Sequence, residues 1–164
     1  VAKSEAYRIL GIDPGSCATG YGVIEKEADT IRYITCGVIR PSAKLALPEK
    51  LQIIYMGVSE VIDQQKPQVM AVENIFVSVN PMSALKLGHA RGVIVLAGMQ
   101  HGLEVKDFSA KAVKQAVAGY GQAAKAQVQQ MVRVLLKLSA SPSQDAADAL
   151  AVAMCCANHA QMVL

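Results

Sequence analysis

The chain has 164 residues, 52% of them apolar, and a formal net charge of +3. That suits one domain spanning residues 1–164 with a full hydrophobic core, and it excludes disorder. No uncharged apolar run reaches the ~18 residues that a membrane span needs. The opening Val1-Ala-Lys-Ser-Glu-Ala-Tyr7 does not read as a secretory signal.

Along the chain, Tyr7 to Asp13 reads as an interior strand stopped by the turn Pro14-Gly15-Ser16. Strands from Thr19 to Glu27 and from Thr30 to Ile39 follow on short turns, as in an antiparallel meander. After a loop from Pro41 to Pro48, residues Leu51, Ile54, Tyr55, Val58, Val61 and Ile62 recur at helical spacing, ending before Pro67. A fourth strand runs from Gln68 to Glu73. The next helix, Met82 to His101, carries small residues Gly88, Ala90, Gly92, Ala97 and Gly98 that permit close packing, in the core or at an interface. A fifth strand, Leu103 to Phe108, precedes helices over Ala110 to Ala118, Ala123 to Leu138 and Gln144 to His159. Ser143 is placed to cap the last of them. His89 reads as a core histidine bonded to backbone, and His101 and His159 as helix-end residues. This order predicts an α/β protein with a five-stranded mixed sheet flanked by helices on both faces, a ribonuclease H-like fold. The first and fourth strands would then be neighbours at the sheet centre.

Four acids stand out. Asp13 and Glu73 each end a short apolar run, where a carboxylate is unusual unless the strand end needs it. Asp145 and Asp148 open an alanine-rich helix at a spacing of three, so both project from one face. Helix N-terminal acids also favour the macrodipole, which accounts for either of this pair but not for Asp13 or Glu73. The four together suit a hard divalent cation, which takes oxygen ligands. Charge is uneven along the chain: residues 80–144 hold 8 Lys or Arg against 2 Asp or Glu, whereas residues 1–79 hold 8 against 9. A basic segment beside an acidic cluster suits a polyanion approaching metal-bound carboxylates, though a solvated helical face gives the same composition. Cys17, Cys36, Cys155 and Cys156 form no CxxC pair. Reduced thiols in a cytoplasmic protein, two or more of them buried, are expected.

Several segments carry a closer likeness: Leu10-Gly-Ile-Asp-Pro-Gly-Ser16 with Thr19-Gly-Tyr-Gly-Val23, Ser83-Ala-Leu-Lys-Leu-Gly88 with Ala90-Arg-Gly92, and Asp145-Ala-Ala-Asp-Ala-Leu-Ala151. In this order and spacing, from about Arg8 to Ala157, the chain resembles the RuvC family of bacterial crossover junction endodeoxyribonucleases (Holliday junction resolvases). The resemblance implies a homodimer that binds four-way junction DNA and nicks two opposing strands symmetrically, beside a branch-migration helicase of the RuvA and RuvB type. It implies that Asp13, Glu73, Asp145 and Asp148 are both the catalytic and the metal-binding acids. They would hold two Mg²⁺ ions roughly 4 Å apart, for which Mn²⁺ would substitute. Lys114 and Lys125 match family lysines near the scissile phosphate. Lys86, Arg91 and Lys111 are candidates for contacts to the DNA backbone, which position without reading sequence. Phe76 matches an aromatic wedge that stacks on a base at the exchange point, a contact of about 1–3 kcal/mol; a hydrophobic cap over a helix end is the plainer account.

The chain departs from the family pattern at Cys17 and Ala18, at Val79 and Pro81-Met82, and at His89 in place of a glutamine, and it ends at Leu164 with no basic tail. These changes spare the acids but touch the loop contacts to DNA. The turn Asp13-Pro-Gly-Ser16 also resembles the first phosphate loop of actin-like ATPases and sugar kinases, whose two-domain catalytic unit does not fit in 164 residues. A junction-binding scaffold descended from a nuclease would be expected to have lost one of the acids, and none is lost.

Overall fold

The computed structural model of the chain describes residues 5–74 and 80–159. Strand β1 (Tyr7–Asp13) pairs antiparallel with β2 (Thr19–Glu27), and β2 pairs antiparallel with β3 (Thr30–Ile39). After helix α1 (Leu47–Gln65), strand β4 (Val69–Glu73) returns parallel to β1. Helix α2 (Pro81–Gln100) leads to β5 (Glu104–Phe108), which lies parallel to β4. Helices α3 (Ala110–Ala118), α4 (Lys125–Leu135) and α5 (Gln144–His159) complete the order. The sheet reads β3-β2-β1-β4-β5, so the first and fourth strands are central neighbours as expected.

The central strands have no polar face, because helices cover both sides. Ile9 of β1 and Val69 and Ala71 of β4 point to a core shared with α3, α4 and α5, while Leu10, Ile12, Met70 and Val72 point to α1 and α2. Helix α5 lies closest to the sheet. A β-carbon at Gly11 would stand 2.1 Å from the Ala149 carbonyl oxygen, and one at Gly20 would stand 2.1 Å from that of Asp145. Glycine at these two positions is what lets an alanine-rich helix rest directly on β1 and β2.

Element ends differ from the sequence reading in informative places. Helix α1 starts at Leu47, so Pro48 belongs to its first turn, where proline's missing N–H costs nothing. Asn80 is an N-cap, its side-chain oxygen accepting from the backbone N–H groups of Met82 at 3.0 Å and Ser83 at 3.4 Å. Helix α4 is shorter than Ala123 to Leu138, with Lys137 in the left-handed region (φ 54°) just beyond it. Ser143 caps α5 as expected, accepting from the Ala146 N–H at 3.4 Å.

One expectation for α2 is corrected. His89 is exposed rather than part of the core, because Ala90, Ile94, Ala97 and Gly98 form the inward face. Gly88 and Gly92 face open space, and only Ala90, Ala97 and Gly98 of the small residues pack. Cys155 and Cys156 are buried and all four thiols are free. Burial pushes the Cys155 thiol to about 12 and that of Cys156 to about 11. His101 and His159 sit at helix ends, each with Nδ1 against a carbonyl one turn back.

Candidate active site

Strand direction gathers the site at one end of the sheet. β1 and β4 are parallel with Ile12 opposite Val72, so the next residues, Asp13 and Glu73, leave the sheet side by side. The same end receives the start of β2, where Gly20 faces Asp13, and the first turns of α5. A cavity of about 390 Å³ opens there. Its polar wall is Asp13, Glu73, Asn74, Lys114, Lys125 and Asp148, and its apolar wall comes from α2, α3, α4 and α5. Three of the four acids picked out in the sequence thus share one cavity with Lys114 and Lys125. Asp145 stands at its margin, where Arg40 reaches it at 3.7 Å.

The electrostatics are those of crowded carboxylates. Burial is the largest influence on Asp13, followed by the charges of Asp148, Glu73 and Asp145. Together they raise its pKa from 3.8 to about 7 against the opposing pull of Lys125. Glu73 is raised as well, by burial and then by Asp148, with Lys125 and Lys114 opposing. The Lys125 ammonium bonds an Asp148 carboxylate oxygen at 2.8 Å, and this bond is the main reason its pKa is held above the usual lysine value. Perturbation of this size, from desolvation plus named partners in a cleft, is typical of a site that performs chemistry.

The donor set suits a hard divalent cation in kind, since every candidate ligand is a carboxylate oxygen. It suits one in charge as well: like charges make Asp13 hard to ionise, and a cation removes that obstacle. Among the described residues, however, no three acids converge closely enough to hold an ion as they stand. Lys125 pairs with Asp148 in this cluster.

The remaining candidates are dispersed. Lys86 and Lys111 are exposed on α2 and α3. Arg91 is committed to an ion pair with Asp107, with Asn74 Oδ1 at 3.4 Å. Phe76 lies outside the described residues. Tyr120 is exposed and bonds Gln127. The sequence reading passed over Asn74 and Arg40. Asn74 directly follows Glu73, and Arg40 directly follows a strand that finishes at the site, a signal visible only once the strand order is drawn.

Comparison with known proteins decides the family. The model of the family "Crossover junction endodeoxyribonuclease RuvC" matches residues 9–156. The chain belongs to the RuvC family. It is 53% identical over 156 residues to the RuvC of Serratia proteamaculans, covering 95% of this chain and 90% of that one. The RuvC of T. thermophilus, solved in complex with a Holliday junction substrate, superposes with a TM-score of 0.89 at 36% identity, over 95% of this chain and 96% of that one. The yeast mitochondrial Holliday junction resolvase Ydc2 shares the fold, with a TM-score of 0.68 at 12% identity over 99% of this chain and 83% of that one. RuvC proteins are metal-dependent nucleases with a ribonuclease H-like fold, and the sheet order and acid-lined cavity described above are in keeping with both.

Proposed function

We propose that residues 1–164 form a single nuclease domain that cuts four-way DNA junctions by paired, symmetric nicks in opposing strands. The observation that carries this reading is the shared cavity of Asp13, Glu73 and Asp148 with Lys114 and Lys125 in its wall. Asp13, Glu73, Asp145 and Asp148 would hold the metal, taken here as two Mg²⁺ with Mn²⁺ as a substitute. When bound, such ions supply Lewis-acid activation of the attacking water and of the leaving 3′ oxygen. The chain's own residues do the rest. Glu73 and Asp13 leave adjacent central strands, so their spacing is set by the rigid sheet and not by a loop. Lys114 and Lys125 present cations to the non-bridging phosphate oxygens, where charge develops in the transition state. For Lys125 this requires exchanging Asp148 for the phosphate, a change that also frees Asp148 to act as a ligand.

Symmetric cutting calls for two active sites related by a two-fold axis, and α2 supplies a face for it. Its exposed residues Met82, Leu85, His89, Gly92, Leu96 and Met99 recur at alternating intervals of three and four, the spacing of a helix-pairing seam. Gly92, with open space around it, lets a second copy approach closely at mid-helix. We assign homodimerisation to this seam. Lys86, Lys111 and Arg91 would contact the DNA backbone and Phe76 would act as the wedge, with a branch-migration helicase of the RuvA and RuvB type as partner. Reduced buried thiols and, among the described residues, no helix able to cross a membrane support a cytoplasmic setting.

Incubation with a synthetic mobile four-way junction and Mg²⁺, followed by mapping of the products, tests the reading. Nicks at matching positions in two opposing strands are expected, and Phe76→Ala should keep junction binding while cutting poorly. Random cleavage, or cleavage of plain duplex at the same rate, would contradict the proposal; unimpaired cutting by the Phe76 variant would remove the wedge.

A further inference from the structure

Arg40 follows the last residue of β3 at the site end of the sheet, since Ile39 faces Thr19 and Asp13 faces Gly20. Its side chain is 63% exposed, and among the described residues its partner is a single carboxylate oxygen of Asp145, at 3.7 Å. A lone exposed contact of that length contributes little to stability, so the pair does not account for an arginine here. The other arginines near the sheet ends are differently placed: Arg91 is held by Asp107 and Asn74, and Arg8 and Arg32 both hold Glu25 at the far end. Arg40 lies outside the cavity wall, across β2 from Asp13, whereas Lys114 and Lys125 stand on the α3 and α4 side. Cations thus reach the acids from two separate places, the end of β3 and the helices α3 and α4. Were Asp145 to serve as a metal ligand, Arg40 would be left as an exposed guanidinium, and its planar donor fork suits a phosphate.

We infer that Arg40 grips a backbone phosphate of the strand being cut, on the opposite side of the acids from Lys114 and Lys125, and so positions that strand across the site. In the free protein the guanidinium only reaches Asp145, at 3.7 Å. This rests on the junction-nuclease reading above. A phosphate contact releases counterions, so its signature is the salt dependence of binding as well as the affinity.

The experiment compares wild type, Arg40→Gln, Arg40→Lys and, as a charge-matched control at the opposite end of the sheet, Lys66→Gln. Junction affinity is measured against salt concentration with calcium in place of magnesium, under conditions without cutting, and cleavage kinetics are then measured with magnesium. For Arg40→Gln the slope of log affinity against log salt should fall by about one, and KM should rise more than kcat falls. Arg40→Lys should restore most of the slope, and Lys66→Gln should match wild type. An unchanged slope for Arg40→Gln overturns the inference, as does an unchanged slope combined with a higher magnesium requirement, which would make Arg40 only a support for Asp145. A wild type that neither binds nor cuts the junction would instead sink the nuclease reading itself, so the two failures are distinct.

Discussion

Asp13 is the residue on which the site's charge balance turns. Its pKa is lifted from 3.8 to about 7 by burial and by the neighbouring acids, so the metal-free protein is strained by ionising it. The folded state binds this proton more tightly than the unfolded chain does. The stability the proton confers is therefore fully present below about pH 4 and is lost progressively as pH rises through about 7. Asp13→Asn removes that dependence. With chelator present, melting temperatures measured across this range should show the variant gaining on wild type from about pH 4 to 7 and the gap levelling off above it. A constant gap would mean that Asp13 is not perturbed as described. Both strand-end acids were legible in the sequence, because a carboxylate closing an apolar run has few structural explanations. The Lys125–Asp148 pair was not, since it joins α4 to α5 and depends on how two helices meet.

Among the elements, α5 matters most, because it delivers Asp145 and Asp148. The alanines at 146, 147, 149, 151 and 153 and the bare backbone of Gly11 and Gly20 let it lie against the strands. At its other end the buried Lys26 ammonium donates to the Ala157 carbonyl at 2.7 Å, satisfying a terminal acceptor where the helix dipole favours positive charge. The helix is thus fixed to β2 at both ends. Gly20→Ala would force the first turn of α5 off the strand, at a cost of roughly 1–3 kcal/mol for overpacking. Calorimetry should show weakened magnesium binding in this variant even where circular dichroism shows it folded. Undiminished binding would mean that the glycine contact does not set the position of Asp145. The alanine-rich pattern announced a close-packed helix, but which glycines receive it depends on strand pairing. Helix α2 was harder to read. Apolar residues surround it, so periodicity alone does not separate the core-facing Ile94 from the exposed Leu96.

At the scale of the whole molecule, strand order converts distant sequence segments into one site. Parallel β1 and β4 bring residues 13 and 73 together, and the last helix adds 145 and 148. That much followed from the order of elements. The exposed row on α2 points away from the protein's own core. Leu96→Glu places a charge in it without touching the buried face. Sedimentation should show dimers for wild type and monomers for this variant, and coupled paired nicks should give way to single nicks. A variant that still sediments as a dimer would move the interface elsewhere.

The account rests on carboxylates at the sheet end working as a metal-holding set against DNA. Junction cleavage by wild type and Asp13→Asn, at equal protein concentration and saturating magnesium, tests this most directly. The amide keeps the shape of the side chain and removes its charge, so the account predicts that wild type cuts and the variant binds the junction without cutting. Equal cutting by both would contradict it.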